Sequence, residues 1–142
     1  MSTLKAEDLR EFLSGFVGRK CSSYAAGGSG GSAISIQFDG GASIFVTCAW
    51  RLDDRETVLF GCWSEGLISG NKDALDKLVG AELTAFFLRE PGMDLDLFFT
   101  DEKVFRVFCD QVDPEDPLGN FLVTTVESSI KVESLSFIRE GT

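Results

Sequence analysis

The chain contains no histidine. That absence removes the Ser-His-Asp and Cys-His nucleophile systems, the H-E-x-x-H zinc site and every histidine general base. Cysteine is sparse. Cys21, Cys48, Cys62 and Cys109 form no C-x-x-C pair, so the paired spacing of a zinc site is missing. They read instead as small buried hydrophobes in a reducing compartment. No run of about 18 apolar residues exists, which leaves no span for a membrane. The opening MSTLKAEDLREFLSG is acidic and amphipathic, unlike an export leader, so a cytoplasmic location is expected. Basic residues are also short, 13 Lys plus Arg against 23 Asp plus Glu, a net charge of −10. A surface of that sign repels phosphate backbones, so direct nucleic-acid binding is not expected.

What is present is an internal echo. Residues 34–48, ISIQFDGGASIFVTC, realign on residues 95–109, LDLFFTDEKVFRVFC, at an offset of 61. Phe38 falls on Phe99, Val46 on Val107 and Cys48 on Cys109. Upstream, residues 16–24 lie over residues 78–86 at an offset of 62. One duplication at this period is too long and too few for a solenoid. It predicts two similar halves about a pseudo-twofold axis. The 44% hydrophobic content and thirteen Phe suffice for one core, so residues 1–142 read as a single domain. Its repeats cover about 3–64 and 71–126, and a C-terminal strand segment covers 127–142.

Each repeat opens with an amphipathic helix. Leu4, Leu9, Phe12, Leu13 and Phe16 form the first stripe, with a stop at Gly15 or Gly18. In the second, Asn71 caps, Ala74, Leu75 and Leu78 form the stripe, and Gly80 ends it. The period then switches to two. Ile34, Ile36 and Phe38 lead into the Asp39-Gly40-Gly41 turn and return through Ile44, Val46 and Cys48. Leu95, Leu97 and Phe99 repeat that hairpin with Phe105, Val107 and Cys109. A strand precedes each hairpin (about 19–25 and 81–88) and another follows (about 57–64 and 120–126). The tail from Ile130 to Ile138 adds one or two more. The fold class is therefore α+β, mainly β, a helix plus a four-stranded antiparallel sheet written twice. Phe45, Phe98 and Phe108 fall on the strands' second face, which predicts that this face is covered by a helix, by the other repeat or by another chain.

Motifs for catalysis are weak. The glycine run over 25–32 lacks the Lys-Ser/Thr of a phosphate loop, and no helix start follows it. Asp94, Asp101 and Lys103 resemble a metal-dependent nuclease signature, but Asp101 and Lys103 fall on the turn of the second hairpin and no basic track accompanies them. Calcium fails on spacing, since no D-x-D-x-D-G run exists, and a glycosidase needs one acid in an apolar pocket rather than acids in turns. No metal or other cofactor is expected, and the chain reads as a non-enzyme.

The acids themselves are unevenly placed. Residues 1–70 carry a net charge of −2 and residues 71–142 carry −8. Asp94, Asp96, Asp101 and Glu102, with Asp53, Asp54 and Glu56 from the first repeat and Asp113, Glu115 and Asp116 from the second, are expected to build a negative face. Such a face steers a cationic partner by sign. Trp50 and Trp63 flank the first acidic loop, as aromatic anchors or as core.

A small acidic chain with a duplicated helix-and-strand unit and no catalytic motif resembles immunity proteins of bacterial contact-dependent inhibition systems, some of which resemble the Whirly architecture. The resemblance covers roughly residues 3–126 and is one of layout and charge. It implies two four-stranded sheets about a pseudo-twofold axis. It also implies a non-enzymatic inhibitor that occludes a basic toxin domain, often a nuclease, with a negative surface. Whirly proteins bind single-stranded DNA through a basic surface, and this acidic chain departs from them there. The competing reading is a homo-oligomeric structural domain, or one that binds a small ligand between its halves.

Overall fold

The strands form where apolar residues alternate. The computed structural model describes residues 2–3, 6–26, 33–62, 73–109, 120–132 and 137–140. Its elements are β1 (Ser2–Thr3), α1 (Ala6–Ser14), β2 (Cys21–Ala26), β3 (Ile34–Phe38), β4 (Ala42–Val46), β5 (Ala49–Asp53) and β6 (Val58–Gly61). They continue with α2 (Asp73–Asp76), β7 (Leu83–Arg89), β8 (Asp94–Phe99), β9 (Val104–Phe108), β10 (Phe121–Thr124), β11 (Ser129–Val132) and β12 (Phe137–Glu140). The protein is mainly β, with antiparallel pairing throughout. In α1, Leu9, Leu13 and the following Phe16 are buried at helical spacing, and Glu7 and Asp8 in its first turn favour the positive end of the helix dipole. The second helix is a single turn, and its expected cap Asn71 lies outside the described residues.

Two sheets result. One runs β1-β12-β11-β10-β4-β3-β2 and the other β6-β5-β9-β8-β7. Their inner faces share one core, in which Phe38 of β3 stacks on Phe99 of β8 with centroids 6.1 Å apart. Trp50 lies against Phe105 at 5.4 Å and Phe60 at 6.2 Å, so it is core and not an exposed anchor. Trp63 lies outside the described residues.

The sheets differ from the expected four-stranded units in strand number, seven and five, and in which strands each half contributes. Alternation does not stop at Cys48: Ile44, Val46, Cys48, Trp50 and Leu52 are all buried, so β4 and β5 form one long apolar run bent at Thr47 and Cys48. The bend carries the chain into the other sheet, where β5 pairs with β9 (Ala49 opposite Phe108, Leu52 opposite Phe105). In exchange, β10 pairs with β4 (Phe121 opposite Val46, Thr124 opposite Ser43). The backbone carbonyl of buried Asn120 holds the bend, accepting from the N–H of Thr47 at 3.0 Å and of Cys48 at 3.3 Å. Each half thus gives its later strands to the sheet begun by the other. The tail strands β11 and β12 are present, and they widen the first sheet.

The junction between the halves is symmetric in its hydrogen bonds. Gly18 N donates to Leu83 O at 2.8 Å, and Gly80 N to Cys21 O at 2.7 Å. Cys21 N donates to Ala81 O at 2.8 Å, and Leu83 N to Arg19 O at 2.9 Å. Each bond in these pairs becomes the other when residues 62 apart are exchanged, with the isolated Lys20–Glu82 bridge at the centre. Both β2 and β7 carry an irregularity after their first residue, between Cys21 and Ser23 and between Leu83 and Ala85. Tyr24 of β2 donates to the Asp76 carboxylate of α2 at 2.5 Å, a further tie across the halves. Burial, then that hydrogen bond, raises its phenol above the ordinary value.

The two hairpin turns match in backbone but not in sequence. Gly40 and Gly41 have φ of 80° and 78°, and Asp101 and Glu102 at the matching places have 63° and 61°. Glycine suits the positive φ of the first turn, and a Cβ would also displace side-chain ends, lying 2.5 Å from the Arg19 guanidinium at Gly40 and 2.7 Å from the exposed Val126 at Gly41. The second turn holds two side chains in the left-handed region, at a cost.

Candidate protein-binding site

The five-stranded sheet and its turns carry most of the residues expected to bind a partner, in an arrangement that changes their meaning. Asp53 of β5 and Asp96 of β8 are on the outward phase, yet both are buried beneath arginines. Arg106 of β9 bridges them, its Nε 2.8 Å from Asp53 Oδ2 and its Nη1 2.9 Å from Asp96 Oδ2. Arg89 Nη2 reaches the same Asp96 oxygen at 2.7 Å. Arg51 Nε lies 3.0 Å from Asp53 Oδ1 but directs its hydrogen bond at Oδ2, 3.1 Å away. Oδ1 of Asp53 and Oδ1 of Asp96 therefore accept no hydrogen bond. The hydrogen bond from Arg106 to Asp53, with the charge of Asp96, raises the Arg106 pKa and fixes it as a cation.

What this face shows to solvent is guanidinium and aromatic surface. The side chains of Arg51 and Arg89 are 43% and 47% exposed, against 2% for Asp96. Arg51 lies over the Phe108 ring and Arg89 over Phe87, each 5.2 Å from the centroid, and no described element covers them. The expectation that Asp53 and Asp96 contribute to a free negative face is thus corrected: register sets an arginine beside each. Asp94 is also engaged, its Oδ1 accepting from Cys109 N at 2.7 Å.

Four of the remaining acids do come together. The β5–β6 turn and the β8–β9 turn lie at the same end of the sheet, and Asp54, Glu56, Asp101 and Glu102 line one groove there of about 380 Å³. Arg55 and Lys103 share it, and Arg55 Nη2 pairs with Glu102 Oε1 at 3.0 Å. Asp54 Oδ1 ties its own turn, accepting from Glu56 N at 2.9 Å and Thr57 N at 2.8 Å. Those backbone donors hold its carboxyl below the ordinary 3.8. Asp113, Glu115 and Asp116 lie outside the described residues, as does the glycine run over 27–32.

Sequence reasoning missed Arg51, Arg89, Arg106 and Phe87. The available signal was that the arginines share the outward phase with Asp53 and Asp96. Only the register, with Arg51 opposite Arg106 and Arg106 opposite Asp96, shows that they neutralise them. The other sheet's outer face is mostly uncharged, with Ser35, Gln37, Ser43, Thr124 and Ser129 on the outward phase and Phe45, Leu122 and Lys131 among them. Among the described residues, no group of His, Cys, Asp and Glu is placed to hold a metal, and no helix is long and apolar enough to cross a membrane. No protein-family model matches the chain, and neither does a curated protein sequence or a solved structure.

Proposed function

We propose that the protein is a non-enzymatic inhibitor of the immunity type, acting in the cytoplasm, and that it docks a basic protein domain such as a nuclease toxin through the acidic rim of its five-stranded sheet. One observation carries this reading: Asp54, Glu56, Asp101 and Glu102, from two turns distant in sequence, line a single groove. Asp101 and Glu102 hold positive φ where the matching turn uses two glycines, and strain kept at an exposed turn is a mark of function rather than of folding. Asp54 is held as an anion, as suits a group that attracts charge and does not donate a proton. The resemblance to immunity proteins supplies the class of partner, and the net charge of −10 supplies long-range attraction to a cation. The two halves with their exchanged strands are read as the product of a duplication, in which the second turn diverged toward binding.

The test is co-expression with the product of the adjacent open reading frame, followed by co-purification and a toxicity assay. The wild type is expected to capture and neutralise that product. Glu56→Lys combined with Asp101→Lys and Glu102→Lys is expected to lose both, while Asp54, which holds the turn, is left intact. Neutralisation that survives the triple charge reversal refutes the choice of rim.

A further inference from the structure

The outer face of the five-stranded sheet bears a knob and a hole at opposite edges. The knob is Phe87 on edge strand β7, 53% exposed, with the Arg89 guanidinium against its ring. The hole is an open groove of about 400 Å³ at the β6 edge, walled by Val58, Arg51 and Phe108 and including Gly61, which has no side chain to fill it. Register links the two. Gly61, Arg51, Arg106, Asp96 and Phe87 stand opposite one another across all five strands, in a single row centred on Arg106 of β9.

A half-turn about an axis along β9, in the plane of contact, lays this row over its own reverse. Phe87 then faces Gly61 of the second copy and Arg51 faces its Asp96. The adjacent row, Val58, Asp53, Val104, Phe98 and Ala85, reverses about Val104 in the same way. We propose that the protein self-associates through this face as a closed twofold dimer, with each Phe87 seated in the groove beside Gly61 of the other copy. Charge permits the same operation, because the buried Asp53 and Asp96 offset most of the positive charge of Arg51, Arg89 and Arg106 on each face. The two Arg106 residues meet at the axis, each already bound to Asp53 and Asp96. Both knobs find holes in one step, so association stops at two copies and does not propagate.

The size of the face sets the strength. Five strands about 4.8 Å apart and about five residues long at roughly 3.3 Å each give about 400 Å² per copy. A standard stable interface buries about 800 Å² per partner, so the dimer is weak and reversible, in the micromolar range or above. The twofold also sets both acidic rims at the same end, so salt that screens their repulsion tightens the dimer. This inference is independent of the partner assigned to the rim.

Sedimentation velocity of the full chain alone tests it, from about 1 µM to about 500 µM as a weak interface requires, at about 0.05 M and about 0.3 M salt. The weight-average mass is expected to climb from 15.5 kDa toward twice that, more readily at the higher salt. Phe87→Ser and Val58→Glu, both at well-exposed side chains, are expected to weaken dimerisation at least about tenfold, with circular dichroism confirming the fold. Phe45→Ser, on the outer face of the other sheet, is expected to change nothing. A monomer at every concentration overturns the proposal. So does a dimer that survives both sheet-face variants, or one that Phe45→Ser abolishes.

Discussion

Replacing Glu102 by glycine should make the protein more stable, although it deletes an ion pair. Glu102 has φ of 61°, and its counterpart Gly41 has 78°. Holding a non-glycine residue in the left-handed region costs about 1–2 kcal/mol. Against that relief, glycine frees the unfolded chain by about 0.4–1 kcal/mol. The Arg55–Glu102 pair is exposed on both sides and contributes at most about 0.5 kcal/mol. The balance is a gain of about 0.5 kcal/mol, or roughly 2 °C in Tm for a chain of this length. Glu102→Gln separates backbone from charge, because it removes the anion and keeps the strained φ. Urea unfolding followed by circular dichroism, at low and high salt, should rank Glu102→Gly above Glu102→Gln. Glu102→Gly less stable than Glu102→Gln by the roughly 0.4–1 kcal/mol that glycine costs would show that the turn stores no strain and would remove one support for a functional rim.

Asp96→Ala should cost about 2 kcal/mol in urea unfolding. Breaking a fully buried pair costs about 3–5 kcal/mol, but Arg89 and Arg106 are partly exposed and recover hydration; an unchanged midpoint would mean that the network is ornamental. Asp54 has a folded pKa below its ordinary 3.8, so its contribution is present above the unfolded pKa and is lost as pH falls through the folded value. Asp54→Ala should therefore be less stable than the wild type at neutral pH, with the gap closing in acid; a gap independent of pH contradicts this. Burial pushes the Cys21 thiol up to about 11, so native-state alkylation near neutral pH should modify half-buried Cys109 first and spare Cys21. Peptide mapping that finds Cys21 labelled first would refute its burial.

Local pattern revealed the hairpins and concealed the way in which they join. The alternation of Ile34, Ile36 and Phe38 and the similar one of Leu95, Leu97 and Phe99 located both hairpins, because a period of two is a property of the strand itself. The exchange of β5 and β10 left no such mark. Cys48, Trp50 and Leu52 keep the phase of β4 through the bend, and nothing local says that the chain has changed sheets. The acids tell the same story. Their number and clustering in the second half were plain, but Asp96 and Glu102 look alike in sequence. One is covered by two arginines from strands 7 and 10 residues away, and the other lies open at a turn. A helix, the other repeat or another chain was expected over Phe45, Phe98 and Phe108; among the described residues Phe108 is met instead by Arg51 of its own sheet.

The measurement that bears most directly on the rim is the association rate with the co-purified basic partner, followed by stopped flow across ionic strength. Steering by Asp54, Glu56, Asp101 and Glu102 requires the rate to fall about tenfold or more between about 0.02 M and about 0.3 M salt. It also requires the charge reversal of Glu56, Asp101 and Glu102 to flatten that dependence. A rate indifferent to salt, or a reversed variant with the wild-type slope, would contradict the account.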